Sequence, residues 1–367
     1  MRYQSQIYVK NAYLCQIIIV NEMNLQDFNP NGVGVDNGNY FGMPFTPEDA
    51  QLVLISAPWD VTSSYGAGSS YAPDAIIEAS TQLDFYDPVS PDEWRKGIAT
   101  AEIDYDIQEL SERLRSDAEK VIEHLEEGGD PEADSIARKV RRINEGSFRI
   151  NDNIYTQAQH WMSQGKIVGL VGGDHSTSFG AIKAVGEACG SMGVLHFDAH
   201  CDLRECYEGF EHSHASIMFN VLKDVPEVSK IVEVGVRDFC DDELALVRST
   251  DRVEMFDDYS LSMAKFGGRS WLSLCEEIVE RLPEQVYISM DIDALSIEYC
   301  PNTGTPVVGG LSFNEAVCLM DCVARSGRRI VGFDMVEVVP TLDNKIDASV
   351  GARMLYKMCG IALKTRK

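Results

Sequence analysis

The amino-acid sequence predicts an α/β protein, a three-layer, doubly wound and mainly parallel sheet with a helical insertion. Two observations carry this. Short β-rich runs alternate with helical patterns, and most of the runs are continuously apolar, as strands covered by helices on both faces must be. One stretch breaks the rhythm, with apolar residues at Leu110, Leu114, Ala118, Ile122 and Leu125, and marks the insertion.

Along the chain, residues 12–20 form an apolar run interrupted by Gln16. It falls short of the roughly 20 residues of a membrane span and lacks a small-residue cleavage site. Met23 is an alternative start, which makes the residues before it an upstream extension. Strands are expected at 52–56, 167–171, 193–197, 231–236, 286–290 and 330–333. Helices are expected at 75–80, 179–187, 243–248, 271–281, 313–324 and 348–363. The inserted helix covers 107–127 and stops at Gly128-Gly129. A second, charged helix then runs from Glu132 to about Asn144, with Asp130 as cap and Pro131 in its first turn. Neither a repeat nor a low-complexity linker interrupts the chain. The expected organisation is an N-terminal extension, 1–50, and one domain, 51–367, with its insertion at about 105–150.

Composition narrows the function. The 58 Asp and Glu against 32 Lys and Arg give a formal charge of −26, which repels phosphate backbones and anionic membranes. The ten cysteines show no CxxC pair, so reduced thiols in a cytoplasmic protein are expected.

Five of the seven histidines, His175, His196, His200, His212 and His214, fall within forty residues. The strand at 193–197 runs into Asp198-Ala199-His200-Cys201-Asp202. Alternation places Asp198, His200 and, if the extended backbone persists, Asp202 on one face, with Cys201 on the other. The strand at 286–290 delivers Asp291 and Asp293. The strand at 167–171 ends in Gly172-Gly173-Asp174-His175-Ser176. Open α/β sheets bind ligands at these carboxyl ends. Asp174 can equally cap the next helix, and each Asp-x-Asp can be a solvated turn. Four carboxylates converging on one edge, however, repel one another unless cations compensate them, and two divalent ions would balance four aspartates. An oxygen-rich set with two imidazoles suits Mn²⁺ better than a structural zinc site. Such a pair would activate water for hydrolysis.

These three motifs, with Gly304-Thr305-Pro306 and Gly309-Gly310-Leu311, resemble the signatures of the ureohydrolases, the arginase and agmatinase superfamily. The resemblance covers residue 52 to the C-terminus. It implies an arginase-like fold and an agmatinase-like enzyme that hydrolyses a guanidino compound to urea. It further implies two Mn²⁺ per subunit, with Ni²⁺ as the alternative, held by His175, Asp198, His200, Asp202, Asp291 and Asp293, with Asp198 and Asp291 bridging. His214 and Asp202 are the catalytic candidates, His214 as proton shuttle with His212 as its competitor, while His196 is expected to point away into the core. Glu337, in Asp334-Met335-Val336-Glu337-Val338-Val339-Pro340, would hold the guanidinium through paired charge-assisted hydrogen bonds. The implied assembly is a homo-oligomer, a trimer or hexamer.

Ser296-Ile297, Asn302, Ala72 and Glu78 depart from the usual family pattern, and none is an expected metal ligand. The loop 203–213 should select substrate. Its three glutamates, Glu205 among them, suit a cationic tail such as that of agmatine, whereas Arg204 suits a carboxylate, as in guanidino acids or formiminoglutamate. Free guanidine is a further alternative, with residues 31–40 or the loop 62–68 closing the pocket. Two readings of other classes stand beside these, a deacetylase-like enzyme with a single zinc and a non-catalytic scaffold.

Overall fold

The computed structural model describes residues 28–366, so the expectation about Met23 lies outside the described residues. The strands are β1 (Leu52–Ser56), β2 (Ile98–Thr100), β3 (Ile167–Val171), β4 (Met192–Phe197), β5 (Val228–Val234), β6 (Val253–Phe256), β7 (Gln285–Asp291) and β8 (Arg329–Val336). They form one sheet of eight strands in the order β2-β1-β3-β8-β7-β4-β5-β6. Among the described residues every pairing is parallel, so the sheet is wholly rather than mainly so. β2 and β6 were not expected. Their three and four residues are too short to show a pattern, and β6 is half-exposed at the sheet edge.

The helices are α1 (Ala72–Ser80), α2 (Tyr105–Glu126), α3 (Asp134–Ser163), α4 (Ser178–Cys189), α5 (Ile217–Asp224), α6 (Asp241–Ser249), α7 (Asp258–Phe266), α8 (Trp271–Glu280), α9 (Phe313–Arg325) and α10 (Ile346–Lys364). One face of the sheet packs on α2 to α5 and the other on α1 and α7 to α10, giving two apolar cores and three layers. α5 and α7 are additions to the expected set.

The inserted pair differs from expectation in its second member. α3 begins at Asp134 and continues to Ser163, well beyond Asn144. Asp130 and Pro131 lie in the preceding turn, where Asp130 Oδ1 accepts a hydrogen bond from the Glu132 amide at 3.0 Å. The far half of α3 is the crossover helix that returns the chain to β3. Its Ile143, Ile150, Ile154 and Ala158 are buried in the core shared with β1 and β3.

Residues 31–40 do not close a pocket over the strand ends. Tyr40 and Phe41 are buried, with the Tyr40 hydroxyl 2.8 Å from Ser56 Oγ and the Phe41 amide donating to Ser80 Oγ at 2.7 Å. Residues 31–36 are exposed, and the chain docks on β1 and α1 through Tyr40 and Phe41, whose adjacent aromatic side chains bury apolar surface there.

A two-lobed carboxylate cluster at the strand ends

β3, β8, β7 and β4 are consecutive in the sheet, and their carboxyl ends converge. After β3 the chain turns through Gly173, where a Cβ would lie 1.7 Å from the Trp59 carbonyl oxygen. The side-chain-free turn lets Asp174 cap the short helical turn His175–Thr177 by accepting from the Ser176 amide. His175 is thereby aimed at the ends of β4 and β7.

The hydrogen bonds around His175 fix its tautomer. Ser289 Oγ donates its single hydrogen to Asp334 Oδ1 at 2.9 Å, so it accepts from His175 Nε2, also at 2.9 Å. In the neutral ring Nδ1 carries the lone pair. It faces Asp198 Oδ2 and Asp202 Oδ2, both at 3.0 Å, and Asp291 Oδ2 at 3.3 Å, and it is buried without a hydrogen-bond partner. Without a cation, burial lowers the His175 pKa, but the facing Asp198, Asp202 and Asp291 outweigh burial and raise it well above its usual range, so a proton takes the place between them. A lone pair among three carboxylate oxygens is tolerated only with positive charge between them. On the other side of Asp198, His200 Nδ1 lies 3.2 Å from both Asp198 Oδ1 and Asp293 Oδ2. Asp198 thus turns one oxygen to each lobe, while Asp291 Oδ1 accepts from the Asp293 amide at 2.9 Å. Each lobe gathers ligand atoms within 4.8 Å of one another. This donor chemistry, with orphaned atoms at His175 Nδ1 and Asp293 Oδ2, fits one divalent cation per lobe.

Asp202 arrives by a different route from the one expected. β4 ends at Phe197, and Asp202 adopts a left-handed backbone at φ 54°. Its carbonyl accepts from the Met218 and Phe219 amides, so α5 holds the strained residue in place.

His196 is a correction. It is fully buried but does not point away, since residues two apart on a strand share a face and Nε2 lies 3.0 Å from Asp198 Oδ2. Glu233 pairs with His196 across β4 and β5, is also fully buried, and has no hydrogen-bond partner on either oxygen.

Electrostatics repeat the demand for cations. Burial and the Asp293 and Asp198 charges push the Asp291 carboxyl well above its usual range. Burial and Asp198 raise Asp202. Asp198 goes the other way: burial opposes its charge, but the imidazoles of His175, His196 and His200 hold it well below. The charges of Asp291 and Asp202 are thus opposed by burial and by their carboxylate neighbours.

Of the two competing histidines, His214 reaches the cluster. Its Nε2 accepts from the Ser64 amide at 3.3 Å, leaving Nδ1 to carry a proton 3.6 Å from Glu337 Oε1. Its backbone amide donates to Thr62 Oγ1 at 3.1 Å, and Thr62 donates to Asp174 Oδ2 at 2.8 Å. Asp174, Thr62 and Ser64 therefore position His214. The sequence offered no spacing signal for this, because Thr62 and His214 lie 152 residues apart. His212 is half-buried against the Phe179 ring, 5.1 Å between centroids. Glu337, at φ 63°, accepts from the His175 amide at 2.9 Å, and burial pushes its pKa up to about 8. A Cβ on Gly304 would stand 3.1 Å from Glu337 Oε2, so glycine there leaves that oxygen accessible.

With Glu337 behind its lining, a cavity of about 420 Å³ opens over His200, Asp202, His214 and Asp291, walled by Ser64, Tyr65 and Thr305 to Val307. Arg204 lines it, stacked over Tyr207 at 4.7 Å and 3.9 Å from Glu243 Oε2. Glu205 is exposed, and none of Glu205, Glu208 and Glu211 lines this cavity. Glu208 and Glu211 face a separate groove toward α3. The acidic groups at the cavity are instead Asp238 and Glu243, from the loop after β5 and the start of α6. Asp238 pairs by backbone with His200, a contact across β4 and β5 that motif spacing does not reveal.

A model of the arginase family matches residues 50–360. The chain belongs to that family. It is 31% identical over 322 residues to the N(1)-aminopropylagmatine ureohydrolase of Thermus thermophilus, covering 88% of this chain and 94% of that one. It is 27% identical to an agmatinase of Bacillus anthracis, over 83% and 89% of the two chains. Among solved structures, the agmatine ureohydrolase of Thermoplasma volcanium superposes with a TM-score of 0.65 at 25% identity, covering 87% of this chain and 92% of that one. This arginase-family chain is thus an agmatinase-like ureohydrolase, a binuclear-metal hydrolase acting on the C–N bond of a linear amidine. The resemblance read from the three motifs, and the fold it implied, are borne out. Among the described residues, no helix is long and apolar enough to cross a membrane.

Proposed function

We propose that this chain hydrolyses agmatine to urea and the corresponding diamine. The observation that supports it most directly is the placing of Glu337 and His214 together, 3.6 Å apart, beside the two-lobed cluster. His175, Asp198, His200, Asp202, Asp291 and Asp293 would hold two Mn²⁺, with Ni²⁺ as the alternative. When bound, the ion pair supplies a water acidified enough to attack at neutral pH.

The chain's own residues do the rest. Glu337 receives the guanidinium through parallel hydrogen bonds and fixes its plane. Asp202 and Asp198 orient the attacking water and accept its proton. The water proton taken up by Asp202 passes to His214, and the resulting imidazolium gives a proton to the departing amine and ends neutral. Burial lowers the His214 pKa, which favours passing that proton on to the amine. Asp238 faces the cationic tail, and Arg204 shapes the wall from its stack on Tyr207.

A longer substrate, agmatine extended by an aminopropyl group, is the second reading, supported by relatives at 30–31% identity that bear that name. We take residues 51–367 as one catalytic domain carrying the helical pair, with cytoplasmic location and a homotrimer or homohexamer as the working assembly.

The test is urea release by Mn²⁺-loaded protein from agmatine, aminopropylagmatine, arginine, 4-guanidinobutyrate and guanidine. Agmatine or its aminopropyl derivative should lead the panel, and absence of urea from every member would overturn the reading. Asp238→Asn should raise KM for agmatine about tenfold while leaving guanidine turnover unchanged, a contrast that tests recognition of the tail.

A further inference from the structure

Away from the strand ends, three thiols meet between two helices. Cys318 and Cys322 stand four residues apart on α9, one above the other on the same helix face. Cys275 of α8 packs against them. The three sulfurs lie within 4.8 Å of one another, and none is in a disulfide. Neither helix contributes a residue to the carboxylate cluster.

We propose that Cys275, Cys318 and Cys322 form a binding site for a soft divalent d¹⁰ cation, Zn²⁺ or Cd²⁺. The donor chemistry selects the ion, because three sulfurs without a carboxylate or imidazole among them favour thiophilic metals over Mn²⁺ or Mg²⁺. The size also fits. Two sulfurs each about 2.3 Å from a tetrahedral zinc stand roughly 3.8 Å apart, so only a small contraction is required. A disulfide within α9 fits worse, since Cβ atoms four residues apart on a helix are about 5–6 Å apart and a disulfide requires about 3.5–4.5 Å.

Access and charge are also accounted for. Cys275 and Cys322 are buried, whereas Cys318 is half-buried, which leaves a fourth position for water on its side. Burial and the neighbouring Cys318 push Cys322 up to about 11, so its thiol is protonated at neutral pH. Binding therefore exchanges three S–H protons for one M²⁺ and leaves one net negative charge, which the Arg325 charge beside Cys322 offsets in part. No oxidant is involved. The ion would pin α8 to α9 independently of urea release.

The experiment titrates Cd²⁺ into full-length, reduced protein whose strand-end site is already loaded with Mn²⁺. The expected result is a near-ultraviolet thiolate-to-cadmium absorption band that saturates at one equivalent, with three protons released per ion and displacement by Zn²⁺. Cys318→Ser should weaken Cd²⁺ binding at least tenfold and shrink the band, whereas Cys206→Ser should change neither. Cys318 is the informative position because its half-exposed side chain tolerates serine, with far-ultraviolet circular dichroism as the fold check. Absence of the band at stoichiometric Cd²⁺, or a band of full strength in Cys318→Ser, would overturn the proposal.

Discussion

Asp198 is the residue on which the two halves of the cluster depend, since its two oxygens face different histidines and His196 braces one of them from behind. Behind His196 sits Glu233, a buried carboxyl without a hydrogen-bond partner, whose pKa burial and then Asp198 and Asp202 push well above the usual range. A carboxyl whose folded pKa is raised penalises the folded state once pH exceeds its unfolded pKa of about 4.3, because the unfolded chain then gives up its proton more readily. Glu233→Gln should therefore stabilise the protein by on the order of 1 kcal/mol at pH 8, with the gain vanishing toward pH 4. Urea denaturation at the two pH values measures it, and an equal effect at both would exclude the titration. Thr62 is the complementary case, joining the His214 backbone to Asp174. Thr62→Val should lower kcat about 10- to 100-fold with little change in KM, since it displaces the proton relay and not the guanidinium anchor. Steady-state kinetics on agmatine decide it.

Among the elements, the turn after β3 is the least tolerant of change. A methyl group at Gly173 would collide with backbone rather than with a flexible side chain. Gly173→Ala should cost about 3 kcal/mol or more and lower metal affinity, read as a fall in Tm together with loss of retained Mn²⁺ on dialysis. The strands that form this turn and its neighbours were legible because buried parallel strands are continuous apolar runs, and β1 and β3 match their expected ranges. α3 extends beyond the expected range for a physical reason. Its apolar stripe continues through Ile143, Ile150 and Ile154, but Gly146, Ser147 and Asn151 interrupt it. The structure gives two of these close-contact roles, with Gly146 against Leu114 and Trp59 and Asn151 Nδ2 donating to Ser176 O at 3.1 Å. Tertiary packing had overridden propensity. The metal-ligand motifs were readable because strand ends present short local patterns. The groups that position His214, and the acidic residues of the cavity, come from contacts between distant segments and left no such pattern.

For the molecule as a whole, the formal charge of −26 exceeds what four clustered aspartates account for. A field of that sign draws a cationic substrate toward the cavity, so kcat/KM for agmatine should fall several-fold between about 20 and 300 mM salt. Neutral urea should show no comparable trend as a product inhibitor.

The strand order has a further consequence, for how activity first appears. β8 lies between β3 and β7, so the strand that comes last in chain order among the described residues joins two half-sheets that otherwise have no shared edge. The same strand carries the chain to Glu337. A nascent chain that stops before residue 329 can hold every cluster aspartate and histidine and still lack both the wedge that brings His175 to Asp291 and the carboxylate that receives the guanidinium. Catalytic competence should therefore switch on in one step, once β8 and Glu337 have been made, rather than accumulate as the chain grows.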